Sequence, residues 1–530
     1  MDLVAGTGVK PVVLLILDGF GIAPDSPGNA IVQARTPSFD LLTARYPAMT
    51  LRASGDEVGL SWGEMGNSEV GHVTIGAGLV HHQTLPRINQ AIASKEFDQN
   101  LALTSGCDYA KSNNSTLHLV GLISAGKVHG MNTHCFELLK LAKKRGVKRV
   151  VVHAILDGRD TLYNSGLDFI SELLVFMKQE RVGELGSLSG RYFAMDRDER
   201  WDRISKAYGA MFMGEGVMAV DPLSAIKESY ARSVFDEEFI PTTVFNGDNP
   251  VAVLQPNDAI IFFNFRPDRA RELVQAVVVP DFDGFDRKIL HGVKVVTMTD
   301  YASGLPVAVA FANEAIRGGL SETLSRFGIA QLKVAESEKY AHITYFFNGT
   351  REEPWPGEER FLVPSPKVAN YALTPAMSAV AIKEKIVQEI KLGNFPVIIA
   401  NFANADMVGH SGDLPATIKA IEILDSCVGE ILTAVLEANG ALVITADHGN
   451  GEEVLNLQTG AIDKEHSTNP VPIWIASATL EGKAGLSLDP PNGDLSQLQP
   501  VGILADVAPT VLALLGVPVP ESMTGVSLVP

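Results

Sequence analysis

The sequence predicts an α/β protein of two parallel-sheet domains, one inserted into the other. Three observations predict it: short apolar runs end abruptly in polar residues, helical patterns separate those runs, and residues of one apparent site lie on both sides of a middle region of the same texture. Strands that are apolar throughout belong to sheets covered on both faces, and strand–helix–strand order makes such sheets parallel. Ligand sites of these sheets form where the carboxyl ends of the strands meet loops, so the polar ends should converge.

Taken in order, the first run, "PVVLLILDG", ends at Asp18 and Gly19. It lacks a small-residue cleavage site and reads as a buried strand rather than a secretory leader. The glycine-rich stretch "WGEMGNSEVGHVTIGAG" follows, with Ser68 poised to open a helix. The candidate linkers "LVHHQTLPR" and "FANEAIRGG" bracket the middle region, giving 1–82 with 317–530 as the outer domain and 83–316 as the insert. Within the insert "TLHLVGLIS", "RVVVHAILDG" and "DAIIFFNFRPD" read as strands and "HCFELLKLAKKRG" as a helix. Beyond it, "PVIIANFANAD" reaches Asp406 and "ALVITADHG" reaches Asp447 and His448. The helix between them, "LPATIKAIEILDSCVGEILTAVLEANG", should stop at Gly440.

At 530 residues, 46% hydrophobic and 20% charged, the composition is that of an ordinary globular protein. A formal net charge of −19 argues against nucleic acid or an anionic membrane as partner but leaves room for a small anion in a local basic pocket. Cys107, Cys135 and Cys427 are scattered and odd in number, which excludes a disulfide framework and suits a reducing cytosol. No stretch approaches the roughly 18 apolar residues of a membrane span. A soluble, cytoplasmic protein is expected.

Asp18, Asp406, His410, Asp447, His448 and His466 supply carboxylate oxygen and imidazole nitrogen, the donors that Mn²⁺, Zn²⁺ or Mg²⁺ accept, and are numerous enough for two ions. Asp406 and His410, four apart, share one side of a helical turn. Any one of these residues alone reads as a cap, a turn or a satisfied polar group; three strand ends of the same kind read as a metal site. Ser68 has two readings. "GNSEV" lacks the second glycine of a hydrolase elbow, so a Ser-His-Asp triad is not favoured. The residue either caps its helix or serves as a nucleophile whose hydroxyl a metal would acidify. Arg159, Arg191, Arg197, Arg266 and Arg269 of the insert suit phosphate or carboxylate, against the alternative of a solvated face. "GLISAGKV" imitates a phosphate loop, but Val128 replaces its magnesium-binding hydroxyl, and no dinucleotide fingerprint occurs.

The strings "LILDGFG", "GNSEVGH", "DGRD", "GRYFAMDRDERW", "FFNFRPDRAR", "EKYAH", "NFANADMVGH", "TADHGN", "HSTNPVP" and "LADVAPTVLALLGVPVPESMTG" span nearly the whole chain. In that order they resemble cofactor-independent phosphoglycerate mutases of the alkaline phosphatase superfamily. The resemblance implies an alkaline-phosphatase-like phosphatase domain (1–82 and 317–530) carrying an inserted phosphotransferase domain (83–316). It implies interconversion of 3- and 2-phosphoglycerate through a phosphoserine on Ser68, without 2,3-bisphosphoglycerate or any organic cofactor. Two divalent ions are implied, Mn²⁺ foremost with Mg²⁺ or Co²⁺ as alternatives: Asp18, Ser68, Asp447 and His448 around one, Asp406, His410 and His466 around the other. His129, Arg159, Asp160, Arg191, Arg197, Arg266 and Arg269 would bind phosphoglycerate, Lys339 would contact the transferring phosphoryl group, and Asp160 would manage protons. The family habit is a monomer acting on a small-molecule substrate.

Two stretches depart from the family pattern: "SAGKVHGM" stands for a glycine-rich "SDGGVHSH", keeping His129, and "LYNSG" follows "DGRDT" without the usual prolines. Because the two ligand sets fall in different domains, hinge closure on substrate is expected. The competing readings are a metal-dependent phosphatase or phosphopentomutase sharing the metal ligands, and a metal- and anion-binding protein without turnover. The arginine set and the intact Ser68 favour the mutase.

Overall fold

A computed structural model of the chain describes residues 8–288, 290–312, 315–456, 459–486 and 489–530. Asn313 and Glu314, inside the second candidate linker, lie outside the described residues. The chain forms two compact units, Met1–Pro86 with Ala315–Pro530, and Arg87–Glu314.

The first unit is built on a sheet whose described strands run in the order Glu358–Val363, Gln331–Glu336, Val397–Phe402, Val12–Leu17, Ala441–Thr445, Val471–Ser477, Ala48–Arg52 and Gly502–Ile503. The first five are mutually parallel, and Val471–Ser477 is antiparallel to both of its neighbours. Val12–Leu17 lies centrally and all six of its side chains are buried, as an unbroken apolar strand requires. Each such side chain contributes about 1.5–3 kcal/mol of burial. Register brings the carboxyl ends of three strands together: Leu17 pairs with Phe402, and Ile16 with Thr445. Asp18, Asp406 and Asp447 all follow those ends.

The helix Leu414–Glu437 is capped by Asp413, whose Oδ1 accepts from Ala416 N at 3.0 Å, and it packs along Ala379–Leu392. Its end differs from expectation. The left-handed residue is Asn439 (φ +53°), not Gly440. Gly440 instead donates to Val435 O at 2.8 Å and passes so close to the chain that a Cβ there would lie 2.6 Å from Pro11 O. Asparagine tolerates the left-handed region nearly as well as glycine, which frees the glycine for the close approach.

The second unit holds strands in the order Ala308–Val309, Lys294–Thr297, Ala259–Phe262, Thr116–Leu122, Arg149–Leu156, Glu184–Gly190, Thr242–Asn246 and Val217–Ala219. Neighbours are parallel as far as Glu184–Gly190, which is antiparallel to Thr242–Asn246. Helices such as Asn132–Arg145, ended by Gly146 at φ +77°, cover the sheet. Ser124, Asp157, Arg191 and Arg266 follow the carboxyl ends of four adjacent parallel strands.

This unit buries histidines in neutral form. His153, with Nε2 2.9 Å from His118 Nδ1 and Nδ1 2.9 Å from Ser187 Oγ, is held well below the usual imidazole range by burial and by His118. Burial pushes His129 and His134 each down to about 4. The unfolded chain takes up these protons near pH 6.5, so their stabilisation is complete above that value and is lost as pH falls toward 4. Between pH 7 and pH 5 the loss is about 2 kcal/mol for His134. Urea unfolding at the two pH values should show it, with about 2 kcal/mol less pH dependence in His134→Gln. The same pH dependence in His134→Gln as in the unaltered protein would contradict it.

Candidate active site

The first unit gathers eight of the singled-out residues. Ser68 opens the helix Ser68–Ala77, but the cap is Asn67, whose Oδ1 accepts from Val70 N at 3.0 Å. The expected capping role for Ser68 is therefore corrected. With an asparagine one residue earlier taking that bond, the Ser68 hydroxyl is free to face the site. Its Oγ, 6% exposed as a residue, receives a hydrogen bond from Lys339 Nζ at 2.7 Å and lies 2.9 Å from His448 Nε2 and 3.2 Å from Asp18 Oδ1. His448 Nδ1 faces Gly449 O at 3.3 Å rather than a carboxylate, so the third member of a serine-hydrolase triad is missing. The same Nε2 approaches Asp18 Oδ1 (3.5 Å) and Asp447 Oδ2 (3.6 Å), which makes it one donor atom among several.

Close backbone approach makes this convergence feasible. Gly19, at φ +73°, lies where a Cβ would come within 2.7 Å of Asp406 Cβ. The helix Ser68–Ala77 touches the loop after Ala441–Thr445 at Gly71, where a Cβ would meet Asp447 O at 2.6 Å. Any larger residue at either place would push two ligand-bearing loops apart.

Three carboxylates are buried here against one lysine. Lys339 Nζ sits 2.7 Å from both Asp18 Oδ1 and Asp406 Oδ2. Although burial opposes its charge, the three surrounding aspartates hold Lys339 well above the usual amine range. Burial and the neighbouring Asp447 push Asp18 up, with Lys339 opposing. Asp406 is held far below the carboxylate range, because Lys339 and the His410 and His466 contacts outweigh its burial. The cluster carries more negative charge than its own lysine neutralises.

Two observations test whether these residues suit divalent ions. Asp447 Oδ2 is buried and accepts no hydrogen bond; His72 Nδ1, 3.2 Å away, donates instead to Ser68 O at 2.8 Å. The second concerns the imidazoles. His410 Nδ1 donates to Lys464 O (2.6 Å) and His466 Nδ1 to Gly66 O (2.8 Å), so each ring, when neutral, offers its Nε2 lone pair inward, while without an ion the bond to Asp406, outweighing burial, raises both imidazoles. Those atoms are 3.1 Å apart and each is 3.2 Å from Asp406 Oδ1. Positive charge must lie among three such atoms: protons held by Asp406 in the absence of an ion, which a divalent ion would displace. Tetrahedral ligands about 2.0 Å from an ion stand about 3.3 Å apart. Backbone carbonyls fixing the far nitrogen are the usual support of metal-binding histidines. The donors fit, as two groups: Asp18, Asp447 and His448 with Ser68, and Asp406, His410 and His466. His448 also lies within 4.8 Å of the Asp406–His466 donors.

The second unit assembles His129, Arg159, Asp160, Arg191, Arg197, Arg266 and Arg269. Arg191 is 3% exposed and its Nη1 lies 2.6 Å from both Asp157 Oδ1 and Asp160 Oδ2. Asp268 accepts from Arg266 Nε at 3.1 Å and Arg197 Nη1 at 3.4 Å, with His129 Nδ1 3.5 Å away. Arg269 donates to Met195 O at 3.1 Å and is lowered by burial and by the charges of Arg197, Arg191 and Arg159. Arg159, Arg197 and Arg266 are half-exposed, while His129 is buried.

The departing loop is ordered by its own bonds. Ser124 Oγ donates to Asp157 Oδ2 at 2.5 Å and receives Gly126 N at 3.0 Å, and a Cβ on Gly126 would strike Asp160. The "LYNSG" segment is tied by Asp236, whose Oδ2 accepts from Gly166 N at 2.6 Å.

Sequence reading missed the residues that hold others in place. Asn401 Nδ2 donates to Asp18 Oδ2 (2.8 Å) and His72 Nε2 (3.0 Å), and Asn450 Nδ2 to Asp406 Oδ1 (2.9 Å). Asp157 and Asp268 organise the arginines. Asn401, Asn450, Asp157 and Asp268 all lie inside strings already singled out, beside a more conspicuous neighbour.

A family profile described as BPG-independent PGAM N-terminus matches residues 88–303. The 2,3-bisphosphoglycerate-independent phosphoglycerate mutase of Clostridium perfringens is 48% identical over 520 residues, covering 98% of this chain and 99% of that one. Its namesake in Clostridium botulinum is 46% identical over 521 residues, with the same coverage. Among solved structures, Leishmania mexicana phosphoglycerate mutase at low cobalt concentration is similar with a TM-score of 0.58 and 31% identity, over 98% of this chain and 97% of that one.

Proposed function

This chain belongs to the 2,3-bisphosphoglycerate-independent phosphoglycerate mutases, and from that premise we propose how its own residues carry the isomerisation. The reaction interconverts 3- and 2-phosphoglycerate in glycolysis and gluconeogenesis without a bisphosphoglycerate cofactor. Ser68 is the nucleophile. Its Oγ attacks the substrate phosphorus in line, the phosphorus–oxygen bond to glycerate breaks, and a phosphoserine forms. The observation that carries this reading is Ser68 Oγ held between the Lys339 ammonium, His448 Nε2 and Asp18 Oδ1.

Asp18, Asp447 and His448 with Ser68 would hold one divalent ion, and Asp406, His410 and His466 the other. Mn²⁺ suits this mixed oxygen–nitrogen set, with Mg²⁺ or Co²⁺ as substitutes. Such ions acidify the serine hydroxyl and neutralise phosphoryl oxygens. Lys339 Nζ donates to Oγ and then to the phosphoryl group. As ligands, Asp18 and His448 would not keep the serine proton, which would leave to solvent as the ion binds.

His129 and the arginines of the second unit are assigned the carboxylate and hydroxyls of glycerate, and Asp160 the proton of the hydroxyl that next attacks phosphoserine. Retaining glycerate until that second transfer separates a mutase from a phosphatase.

The test is conversion of 3-phosphoglycerate with no 2,3-bisphosphoglycerate present, sampled and quenched before coupling to enolase. The rate is expected to fall at least about tenfold when a chelator strips the protein and to return with Mn²⁺. Release of inorganic phosphate without 2-phosphoglycerate would show that glycerate is not held, and the enzyme would be a phosphatase.

A further inference from the structure

The strand ends explain why ligands converge, but not what fixes three separate loops in mutual register. Asp18 lies on the loop after Val12–Leu17, Asp447 and His448 on the loop after Ala441–Thr445, and His466 on the loop that leads into Val471–Ser477. One side chain touches all three. Glu452, 1% exposed, accepts from Gly21 N at 3.1 Å and Asn450 N at 2.8 Å through Oε2, and from Asn469 Nδ2 at 3.0 Å and Ser467 Oγ through Oε1.

The surroundings are shaped around this carboxylate. A Cβ on Gly21 would stand 2.2 Å from Glu452 Cδ, and one on Gly449 would stand 2.3 Å from Oε1. Backbone bonds close the same junction: Asn450 N and Gly451 N donate to Gly19 O at 3.0 Å, Ser467 N to Gly449 O at 3.0 Å, and Ile22 N to Pro470 O at 2.8 Å. Four donors from three loops satisfy both carboxylate oxygens, and among the described residues no lysine or arginine is ion-paired with it.

We propose that Glu452 is a positioning residue that sets the metal-ligand loops in register before any ion arrives, so that the ligand geometry is prepaid by folding. This rests on the metal reading of the site given above. Glu452 is not itself a ligand: both oxygens are occupied by hydrogen-bond donors. Its neutral amide analogue keeps the shape but sets an N–H group against the Asn469 Nδ2 donor and takes away the acceptor of the Ser467 hydroxyl, so one loop should swing loose. Partners that orient ligands without touching the ion typically change metal affinity by about 10- to 100-fold.

The experiment titrates Mn²⁺ alone into the metal-stripped full chain by calorimetry, with thermal melting of the same stripped samples. Three variants are compared: Glu452→Gln, Ser467→Ala, and a control, Asp425→Asn. Asp425 is a buried carboxylate remote from the ligands, accepting from Ser38 N and Phe39 N at 2.9 Å to cap another helix. Glu452→Gln is expected to weaken Mn²⁺ binding about 10- to 100-fold and Ser467→Ala about three- to tenfold. Asp425→Asn should lower the melting temperature with Mn²⁺ affinity unchanged. At saturating Mn²⁺, KM for 3-phosphoglycerate should stay within about twofold in Glu452→Gln, since the defect lies in ion capture.

Mn²⁺ affinity within twofold of the unaltered protein in both variants, with melting lowered as in the control, would make Glu452 an ordinary structural carboxylate and overturn the inference. If Glu452→Gln does not fold, Ser467→Ala decides by the same criterion. An unaltered chain that binds no Mn²⁺ would remove the metal reading and this inference with it, an outcome distinct from normal binding in every variant.

Discussion

Replacing Ser68 by alanine is expected to lower kcat for 3-phosphoglycerate isomerisation by at least about 10⁴-fold and to abolish phosphate retained on the quenched protein. The magnitude follows from what remains. Without Oγ, Lys339 Nζ and His448 Nε2 converge on a methyl group. Removal of a nucleophile in a preorganised site typically leaves only the contribution of binding and electrostatics. Folding should survive, because Lys339 keeps its contacts at 2.7 Å with Asp18 and Asp406, and losing the hydroxyl's hydrogen bonds costs about 1–2 kcal/mol. Mn²⁺ binding should weaken but persist, since the aspartate and histidine donors are untouched. The phosphorylated residue would sit at the first position of a ten-residue helix, where backbone N–H groups and the helix dipole favour an anion. Rapid quench followed by phosphopeptide mapping measures the intermediate directly. Isomerase activity above about 1% of the unaltered level, or an intermediate mapped elsewhere, would remove Ser68 from the mechanism.

The sheet was legible because strands buried on both faces need no polar alternation, and such runs stand out between helical patterns. Polar residues at their ends were legible for the same reason: a run as apolar as Val12–Leu17 makes Asp18 conspicuous. The arginines were visible through the strings that carry them, and the resemblance supplied roles that spacing alone left open. What escaped the sequence was local competition between neighbours. Whether Asn67 or Ser68 caps a helix depends on which side chain the preceding turn aims at Val70 N, and both are good caps. The same holds for Asn439 and Gly440. Glu452 escaped for a different reason: its partners Gly21, Ser467 and Asn469 are brought together only by the antiparallel return of Val471–Ser477.

The second large effect concerns Arg191→Met, which should reduce kcat/KM by about 10²- to 10⁴-fold and destabilise the fold by about 3–5 kcal/mol. Arg191 spends Nη1 on Asp157 and Asp160, which leaves Nη2 and Nε for other acceptors. Methionine fills most of the volume but leaves two carboxylates without their cation, one of them, Asp157, almost fully buried. In the intact protein burial favours the protonated form of Asp157, yet the bonds from Ser124, Asp160 N and Arg191 outweigh it and hold the group below the usual carboxylate range. A depressed acid stabilises the fold above its unfolded pKa near 3.9 and loses that stabilisation as pH falls through the folded value. The variant should therefore surrender this acid-range dependence while losing stability at neutral pH. Adding Asp157→Asn tests the origin of the effect. If an unpaired buried charge is responsible, the double variant should regain at least about half of the stability lost by Arg191→Met, a coupling beyond simple addition. Activity should not return with it, because Asp160 would still lack its partner and the substrate its guanidinium. Strictly additive stability losses would mean that Arg191 acts through packing alone, and kcat/KM within about tenfold of the unaltered enzyme would show that it is not needed for substrate binding.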